Sequence, residues 1–124
     1  KCKVVGEIAG RLGIMNVGFI HSRIEDVLID RKCVCTFKAV GKVNDFLSKI
    51  NTTEDIVVFF YKGPGFYEQE SEQLELAKKN WEVIENIELN VPGTEKRLLI
   101  GFKNKSVLRG TKNTKQLVKL SSIL

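Results

Sequence analysis

The stretch Ile56-Val57-Val58-Phe59-Phe60-Tyr61 decides the fold, because it is a run of six apolar residues without alternation. A strand that is apolar on both faces is typical of the centre of a parallel sheet that helices cover on each side. The turn Gly63-Pro64-Gly65 follows and ends the strand, since glycine and proline interrupt regular structure. We therefore expect residues 56–61 to form the central strand of the protein.

The segments next to this strand have the apolar spacing of helices. Three- and four-residue intervals predict a helix over residues 42–50 before the strand and a longer helix over 67–84 after it. The seam of the longer helix consists of Leu74, Ala77, Trp81 and Ile84. Farther upstream, residues 32–40 are rich in β-branched and aromatic side chains and are expected to form another strand.

The two ends of the chain complete the expected order of elements. At the N-terminus we expect a strand over residues 2–8. A glycine-containing loop and a short helix over 23–29 follow, and this helix begins with the capping box Ser22-Arg23-Ile24-Glu25. Toward the C-terminus the sequence predicts further strands and a final helix. These elements are a short strand over 87–91, a hairpin of 97–102 with 106–109, and a helix that begins at Thr111.

Strands and helices that alternate in this way predict an α/β fold. We expect one domain over residues 1–124, since 124 residues and 14.0 kDa are the size of a single ordinary domain. Its expected architecture has three layers, with a mostly parallel central sheet between helices and with the C-terminal antiparallel hairpin and the final helix at one end. Because the first residue is Lys1 and not Met, we also expect a trimmed N-terminus or a longer parent chain.

The order of elements is Rossmann-like, and from Lys32 onward it resembles the thioredoxin-like arrangement. In that arrangement a strand, a long helix, a hairpin and a final helix follow one another, with a proline before the hairpin, and Pro92 matches that proline. The two redox cysteines of the family would lie within residues 62–66, whose sequence Lys-Gly-Pro-Gly-Phe contains no cysteine. We therefore predict that the protein is not a thiol oxidoreductase.

Cysteine usage and hydropathy indicate the compartment. Three cysteines are an odd number, and they lack the spacing of a disulfide framework. We therefore expect a reducing, cytoplasmic setting. No apolar run approaches the roughly 20 residues that span a membrane, so we expect no membrane partner.

The Gly63-Pro64-Gly65 turn is a candidate site for a small ligand or a nucleotide. It follows a buried strand and precedes a helix, which is where phosphates bind in α/β folds. A dinucleotide fingerprint would need a third glycine where Glu68 stands, and the nearby Glu70 and Glu72 would repel a phosphate. Gly63 and Gly65 are the ligand-binding candidates, and an ordinary connection between strand and helix is the alternative.

Four residues have the ligand chemistry of a zinc site, namely Cys2, His21, Cys33 and Cys35. Cys33 and Cys35 alternate along a strand and point to the same face, but common zinc motifs separate their cysteines by two to four residues. Small thiols that pack in the core are the preferred explanation, so we predict neither a metal nor a cofactor. His21 is the only histidine, and no nucleophile motif accompanies it. We therefore assign no catalytic residues.

The charges of the chain separate along its second half. Residues 66–90 contain seven acidic and two basic residues, a net charge of −5, whereas residues 96–124 contain eight basic residues and no acidic one. A basic segment of this kind favours contact with phosphate backbones. The candidate nucleic-acid contacts are Lys103, Lys105, Arg109, Lys112, Lys115 and Lys119. Alternatively, the basic segment faces the acidic one, within one molecule or across a dimer.

These features favour a small accessory or binding protein without catalysis over an enzyme. Its expected partner is another protein or a second copy of the chain. Sequence-independent nucleic-acid binding through the C-terminal hairpin and helix is the first alternative, and a small ligand or nucleotide at Gly63 and Gly65 is the second. An exposed apolar patch would favour the protein partner, whereas a deep pocket with His21 and carboxylates would favour an enzyme.

Overall fold

The structure, a computed structural model, describes residues 2–38, 41–90, 92–93, 95–105 and 117–122. These residues form a mixed α/β fold with four α-helices and two β-sheets. The helices are α1 (Cys2–Arg11), α2 (Val43–Leu47), α3 (Phe66–Gln69) and α4 (Ser71–Ala77). The strands are β1 (Val27–Ile29), β2 (Val34–Lys38), β3 (Asn51–Thr52), β4 (Val57–Lys62), β5 (Trp81–Leu89), β6 (Arg97–Asn104) and β7 (Val118–Lys119). The α/β class expected from the sequence is therefore confirmed.

The larger sheet has the strand order β2-β4-β6-β5, which places β4 in its interior. β4 runs parallel to β2, whereas β6 is antiparallel to both β4 and β5. The interior position predicted for residues 56–61 is thus confirmed, and the sheet around it is mixed in direction. The predicted strand over 32–40 is the neighbouring β2, and the predicted helix over 42–50 is the shorter α2.

One face of the larger sheet forms the hydrophobic core with helices α2, α3 and α4. Val58 and Phe60 of β4 are at most 1% exposed, as are Ile100 and Phe102 of β6. The ring of Phe60 stacks on Phe37 with centroids 5.3 Å apart and meets Phe102 edge-on at 5.8 Å. The helices contribute Val43, Leu47, Phe66, Leu74 and Ala77 to the same core.

The opposite side of the larger sheet, which we call the outer face, explains why β4 is apolar on both sides. Phe59 and Tyr61 lie on this face and are half-buried. Residues directly opposite each other on neighbouring strands share a face, so Lys38, Gly101 and Lys103 also lie on the outer face. The ring of Phe59 comes within 2.7 Å of the position that a Cβ atom on Gly101 would take. The glycine in β6 therefore makes room for the aromatic ring of its neighbour.

The smaller sheet has the order β3-β1-β7, and all of its strands are parallel. All three residues of β1 are buried. The buried hydroxyl of Thr52 in β3 donates to the carbonyl of Ile29 at 2.9 Å. Just after β7, the backbone N–H of Ser121 donates to the carboxylate of Asp30 at 2.9 Å. These bonds hold the end of the described chain beside β1.

The strand predicted over residues 2–8 is wrong, because these residues belong to helix α1. Apolar residues recur at four-residue intervals from Val4 to Leu12, which a helix places on one side. This periodicity outweighs the β-propensity of the valines. The helix ends in a Schellman motif, in which Gly13 has a φ of 70° and the N–H of Ile14 donates to the carbonyl of Ala9 at 3.0 Å.

The helix predicted over residues 23–29 is wrong for most of its length. Ile24–Asp26 form a single 3-10 turn, and Val27–Ile29 continue as strand β1. The hydroxyl of Ser22 donates to the carbonyl of Arg23 and does not cap the turn. The burial of β1 between two parallel neighbours outweighs the local signal of the capping box.

The long helix predicted over residues 67–84 is wrong, and two short helices and a strand take its place. α3 and α4 end at Ala77, and Trp81 begins β5. Leu74 and Ala77 are buried on α4 and Trp81 is buried at the start of β5, whereas Ile84, at a bulge between Val83 and Glu85, is 39% exposed. The helix-like spacing therefore joins residues of two different elements.

The C-terminal part of the chain departs from the predicted hairpin. β5 is the antiparallel partner of β6, so residues 97–104 pair with the segment that precedes them. The expected partner over 106–109 and the first part of the expected final helix, 111–116, lie outside the described residues. Where the described chain resumes, Lys119 lies in β7, and Leu120–Ser122 form a 3-10 turn, so the helix prediction is wrong there. The three-layer arrangement stays a prediction, and the short α3 and α4 depart from the long helix of the thioredoxin-like order.

Candidate functional site

Eight large apolar side chains near the N-terminus are exposed to solvent. Their exposed fractions range from 38% for Phe19 to 91% for Met15. We call this set the N-terminal apolar surface, and it comprises Val4, Val5, Ile8, Leu12, Ile14, Met15, Val17 and Phe19. Most of the exposed large apolar residues in the described chain thus fall within one segment.

The N-terminal apolar surface is formed by α1 and the chain that follows it. After the Schellman motif the chain turns back, and the ring of Phe19 lies 3.8 Å from the position that a Cβ atom on Gly6 would take. Residues 12–20 contain no charged side chain. The helix and the returning chain therefore present apolar groups together, with little charge between them.

This surface is larger than the apolar patches that a monomer normally leaves in water. From their exposed fractions, the eight side chains present on the order of 700 to 900 Å², above the roughly 300 to 600 Å² of the largest patch on a typical monomer. α1 makes only marginal contact with the other described helices and strands. The N-terminal apolar surface therefore has the properties of an interface.

The Gly63-Pro64-Gly65 turn, predicted as a ligand site, lines two adjoining cavities. The first has a volume of about 260 Å³ and the second about 370 Å³, and both are bordered by Gly63 and Arg97. We call the two cavities together the Arg97 groove. The first cavity is also lined by Pro64, Phe66, Tyr67, Glu68, Glu88 and Lys96, and the second by Lys38, Tyr61 and Lys62. Gly65 has a φ of 80°, a conformation that favours glycine and gives the turn its shape.

The charged groups of the Arg97 groove differ in whether they have partners. Lys62 forms an ion pair with Glu70 at 3.0 Å, and Lys96 forms one with Glu88 at 3.7 Å. The half-buried Arg97 makes no hydrogen bond or ion pair with any described residue. Within the described part of the chain, the groove therefore contains one guanidinium whose N–H donors have no protein acceptor.

Of the four zinc candidates, Cys33 and Cys35 lie together, with their Sγ atoms 3.9 Å apart. Both are free thiols. Burial raises the pKa of Cys35 to about 12, and the neighbouring Cys33 adds to the rise. The thiol of Cys35 therefore stays protonated at neutral pH in the metal-free protein. His21 is exposed in a loop, and the described residues contain no group of three or more side chains that could hold a metal ion.

The basic residues proposed for nucleic-acid contact are divided between two sheets. Lys103 lies on the outer face of the larger sheet, and Lys119 lies in β7 of the smaller one. The Nζ atom of Lys105 donates to the carbonyl of Lys78 at 2.6 Å. Three further candidates lie outside the described residues, namely Arg109, Lys112 and Lys115.

Two features of these sites were not predicted from the sequence. The N-terminal apolar surface had a signal, because residues 12–20 lack charge in a segment that no expected element would bury. Arg97 had none, since its lack of a partner among the described residues depends on where β6 begins beside the turn at residues 63–65. Alternation along a strand does not reveal that arrangement.

Two general properties of the chain remain, namely whether its helices could cross a bilayer and whether it is similar to known proteins. No helix in the described part of the chain has the length and hydropathy that a bilayer crossing requires. Comparison with protein-family models, with curated proteins and with solved structures finds no match to this chain.

Proposed function

We propose that this chain is a small accessory protein that acts by binding and not by catalysis, with the N-terminal apolar surface as its interface. The exposure of eight large apolar side chains on one unit carries this proposal. Leaving such an area in water costs free energy that a partner removes. We also place the protein in a reducing, cytoplasmic compartment, which is supported by the free thiols of Cys33 and Cys35.

The partner that we propose is a second copy of the chain. Residues 2–20 carry a net charge of +1, from Lys3, Glu7 and Arg11, whereas the whole chain carries +5. Two copies therefore meet less charge repulsion through this surface than through the rest of the basic chain. The exposed area is also close to the roughly 800 Å² that each partner buries in a specific interface of standard size.

Sedimentation equilibrium on the wild type and on three variants tests this proposal. Ile8→Asp and Met15→Asp each place a charge in the N-terminal apolar surface, and Leu76→Asp is the matched control because Leu76 is a similarly exposed residue of α4 (43%). We expect a wild-type dimer with a Kd on the order of micromolar. Both N-terminal variants should raise that Kd at least tenfold, and the control should leave it unchanged. A wild-type chain that stays monomeric at about 0.1 mM would contradict the proposal, as would a Leu76→Asp effect equal to that of Met15→Asp.

Sequence-independent nucleic-acid binding is a second candidate, and the outer face of the larger sheet supports it. Phe59 and Tyr61 lie two residues apart on this face, and Lys38 is directly opposite Tyr61. Lys103 lies on the same face opposite Val57, diagonal to Phe59. Aromatic rings on a sheet can stack on single-stranded bases while lysines contact phosphates.

A salt titration with a single-stranded oligonucleotide tests the second candidate. Each lost phosphate contact should flatten the log–log slope of affinity against salt by about one unit. Lys103→Gln should therefore flatten the slope, whereas the exposed Lys79→Gln, after α4, should not. No detectable binding at low salt, or equal effects of the two variants, would exclude the outer face as the binding surface.

A further inference from the structure

We propose that the Arg97 groove binds a small organic anion, specifically a single carboxylate carried on a planar apolar body. The site lies at the junction of β4, the turn at residues 63–65 and the start of β6. It is built from different residues than the N-terminal apolar surface, so this inference does not depend on the proposed function.

The first step rests on Arg97. Its side chain is half-buried and borders both cavities, yet it has no partner in the described chain. The guanidinium nitrogens of Arg97 are not among the fully buried unpaired atoms of the described chain, so a ligand in the groove can reach them. An anion there would accept charge-assisted hydrogen bonds, which are stronger than those between neutral groups. Because the guanidinium is a planar fork, it pairs best with a planar carboxylate in a bidentate arrangement.

The second step concerns the charge of the ligand. The groove has four cations, but Lys62 and Lys96 are already paired with glutamates. The ammonium of Lys38 lies 5.9 Å from the centre of the Tyr61 ring. Three carboxylates, those of Glu68, Glu70 and Glu88, stand against these four cations, so the groove carries one net positive charge. A singly charged carboxylate matches this balance better than a doubly charged phosphate.

The third step concerns the body of the ligand. Aromatic residues line both cavities that Arg97 borders, with the half-buried Tyr61 in one and the buried Phe66 and exposed Tyr67 in the other. The rings of Phe66 and Tyr67 meet edge-on with centroids 5.3 Å apart. The two cavities have the size of sites that enclose small organic molecules. A flat apolar group can therefore pack against these rings while its carboxylate contacts Arg97.

Gly63 offers a way to block the groove without changing its charge. Its backbone does not have a positive φ, and the atom nearest to an added Cβ is a guanidinium nitrogen of Arg97, at 3.9 Å. The position before a proline also accepts an extended, β-branched residue. Gly63→Val should therefore leave the fold intact and fill the space beside Arg97.

Benzoate is the probe for the test. Its binding is monitored through the chemical shifts of backbone amide signals in two-dimensional NMR spectra of the full chain. We expect saturable shifts at Gly63 and Arg97. Arg97→Gln and Gly63→Val should each weaken benzoate binding at least tenfold, and Arg97→Lys should also weaken it because the bidentate fork is lost. Lys103→Gln, on the same strand and face, is the matched control and should bind benzoate like the wild type, as should Met15→Asp.

Two further probes identify the chemistry that is recognised. Benzylammonium has the same ring with the opposite charge and should not bind, and inorganic phosphate should bind more weakly than benzoate. The proposal is overturned if benzoate causes no saturable shifts, if its affinity survives Arg97→Gln, or if benzylammonium binds equally. Tighter binding of phosphate than of benzoate would show that the assignment of a singly charged carboxylate is wrong.

Discussion

The core of the larger sheet and the N-terminal apolar surface are both rich in large apolar side chains, but they differ in burial. Phe60 and Phe102 are at most 1% exposed, whereas Leu12 and Met15 are 70% and 91% exposed. The core residues have strands on one side and helices on the other, whereas α1 makes only marginal contact with the other described elements. The larger sheet and its helices therefore stabilise the fold within one chain, whereas the N-terminal apolar surface would gain most of its burial from a partner.

The largest difference between the two regions should appear when one large side chain is removed from each. Phe60→Ala leaves a cavity beside Phe37 and Phe102 and should lower the free energy of unfolding by about 3 to 5 kcal/mol. Met15→Ala removes a side chain that is already in water and should change it by less than about 0.5 kcal/mol. Urea unfolding at low protein concentration, where no dimer contributes, measures both. Similar losses for the two variants would show that the N-terminal apolar surface is part of the core.

The same glycine substitution should have opposite signs in the two regions. Gly101→Ala adds a Cβ atom that would lie 2.7 Å from the Phe59 ring and 3.2 Å from the Cβ atom of Glu85. It should therefore destabilise the larger sheet by about 1 to 3 kcal/mol. Gly10→Ala, in α1, meets nothing within 4 Å and should raise stability by up to about 1 kcal/mol, because alanine is the better helix former. Thermal unfolding of both variants checks the signs, and a destabilising Gly10→Ala would mean that α1 is closely packed.

The core was predictable because its signals are local. The apolar run at residues 56–61 needs an interior strand whichever way its neighbours run, and the composition of residues 32–40 and 97–102 is that of strands. The direction of pairing was not predictable, because it depends on which strand β6 meets. The same limit explains why Trp81 was expected in a helix and lies in a strand. Its place in β5 depends on pairing with β6, in a strand that has a bulge after Val83.

The two candidate surfaces were predictable to different degrees. Gly63 and Gly65 stood out because two glycines around a proline require a turn, and that turn does border a cavity. The side chain that makes the cavity polar, Arg97, is distant in sequence and emerges only when β6 pairs with β4. The strand predicted over residues 2–8 is wrong because the adjacent valines favour a strand, and a helix that makes only marginal contact with the other described elements gives no long-range signal.

Thiol reactivity should separate a half-buried position in the larger sheet from an exposed position in the N-terminal apolar surface. Because burial raises the pKa of Cys35 to about 12, it holds little thiolate at pH 8, and alkylation by iodoacetamide should be on the order of 1,000-fold slower than for a free thiol. A cysteine introduced by Met15→Cys should react at the ordinary rate.

The raised pKa of Cys35 also predicts how stability depends on pH. The native state binds the Cys35 thiol proton more tightly than the unfolded chain does. The contribution of this proton to stability is therefore complete below about pH 8.5 and declines above it.

Peptide mapping of the alkylated protein, at a concentration too low for dimerisation, gives both rates. The wild-type protein serves as the control for labelling at the native cysteines. Equal rates at positions 15 and 35 would contradict the assigned burial of Cys35. Protection of position 15 that appears only at higher protein concentration would sharpen the comparison further, because it would show directly that a second copy covers the N-terminal apolar surface.

The smallest effect is expected in the smaller sheet, where Asp30 holds the chain after β7. The hydroxyl of Ser121 donates to this carboxylate at 2.5 Å and its backbone N–H donates at 2.9 Å, and these two bonds hold the pKa of Asp30 below its ordinary value. A lowered pKa in the native state means that the stabilisation is present above the unfolded pKa, about 3.9, and is lost as the pH falls through the native pKa. Hydrogen exchange of the Ser121 amide should therefore lose protection below about pH 4, after correction for the intrinsic pH dependence of exchange. Asp30→Asn should remove this pH dependence while leaving the protection of β4 and β6 unchanged, whereas a pH effect that persists in Asp30→Asn would assign the anchor to another group.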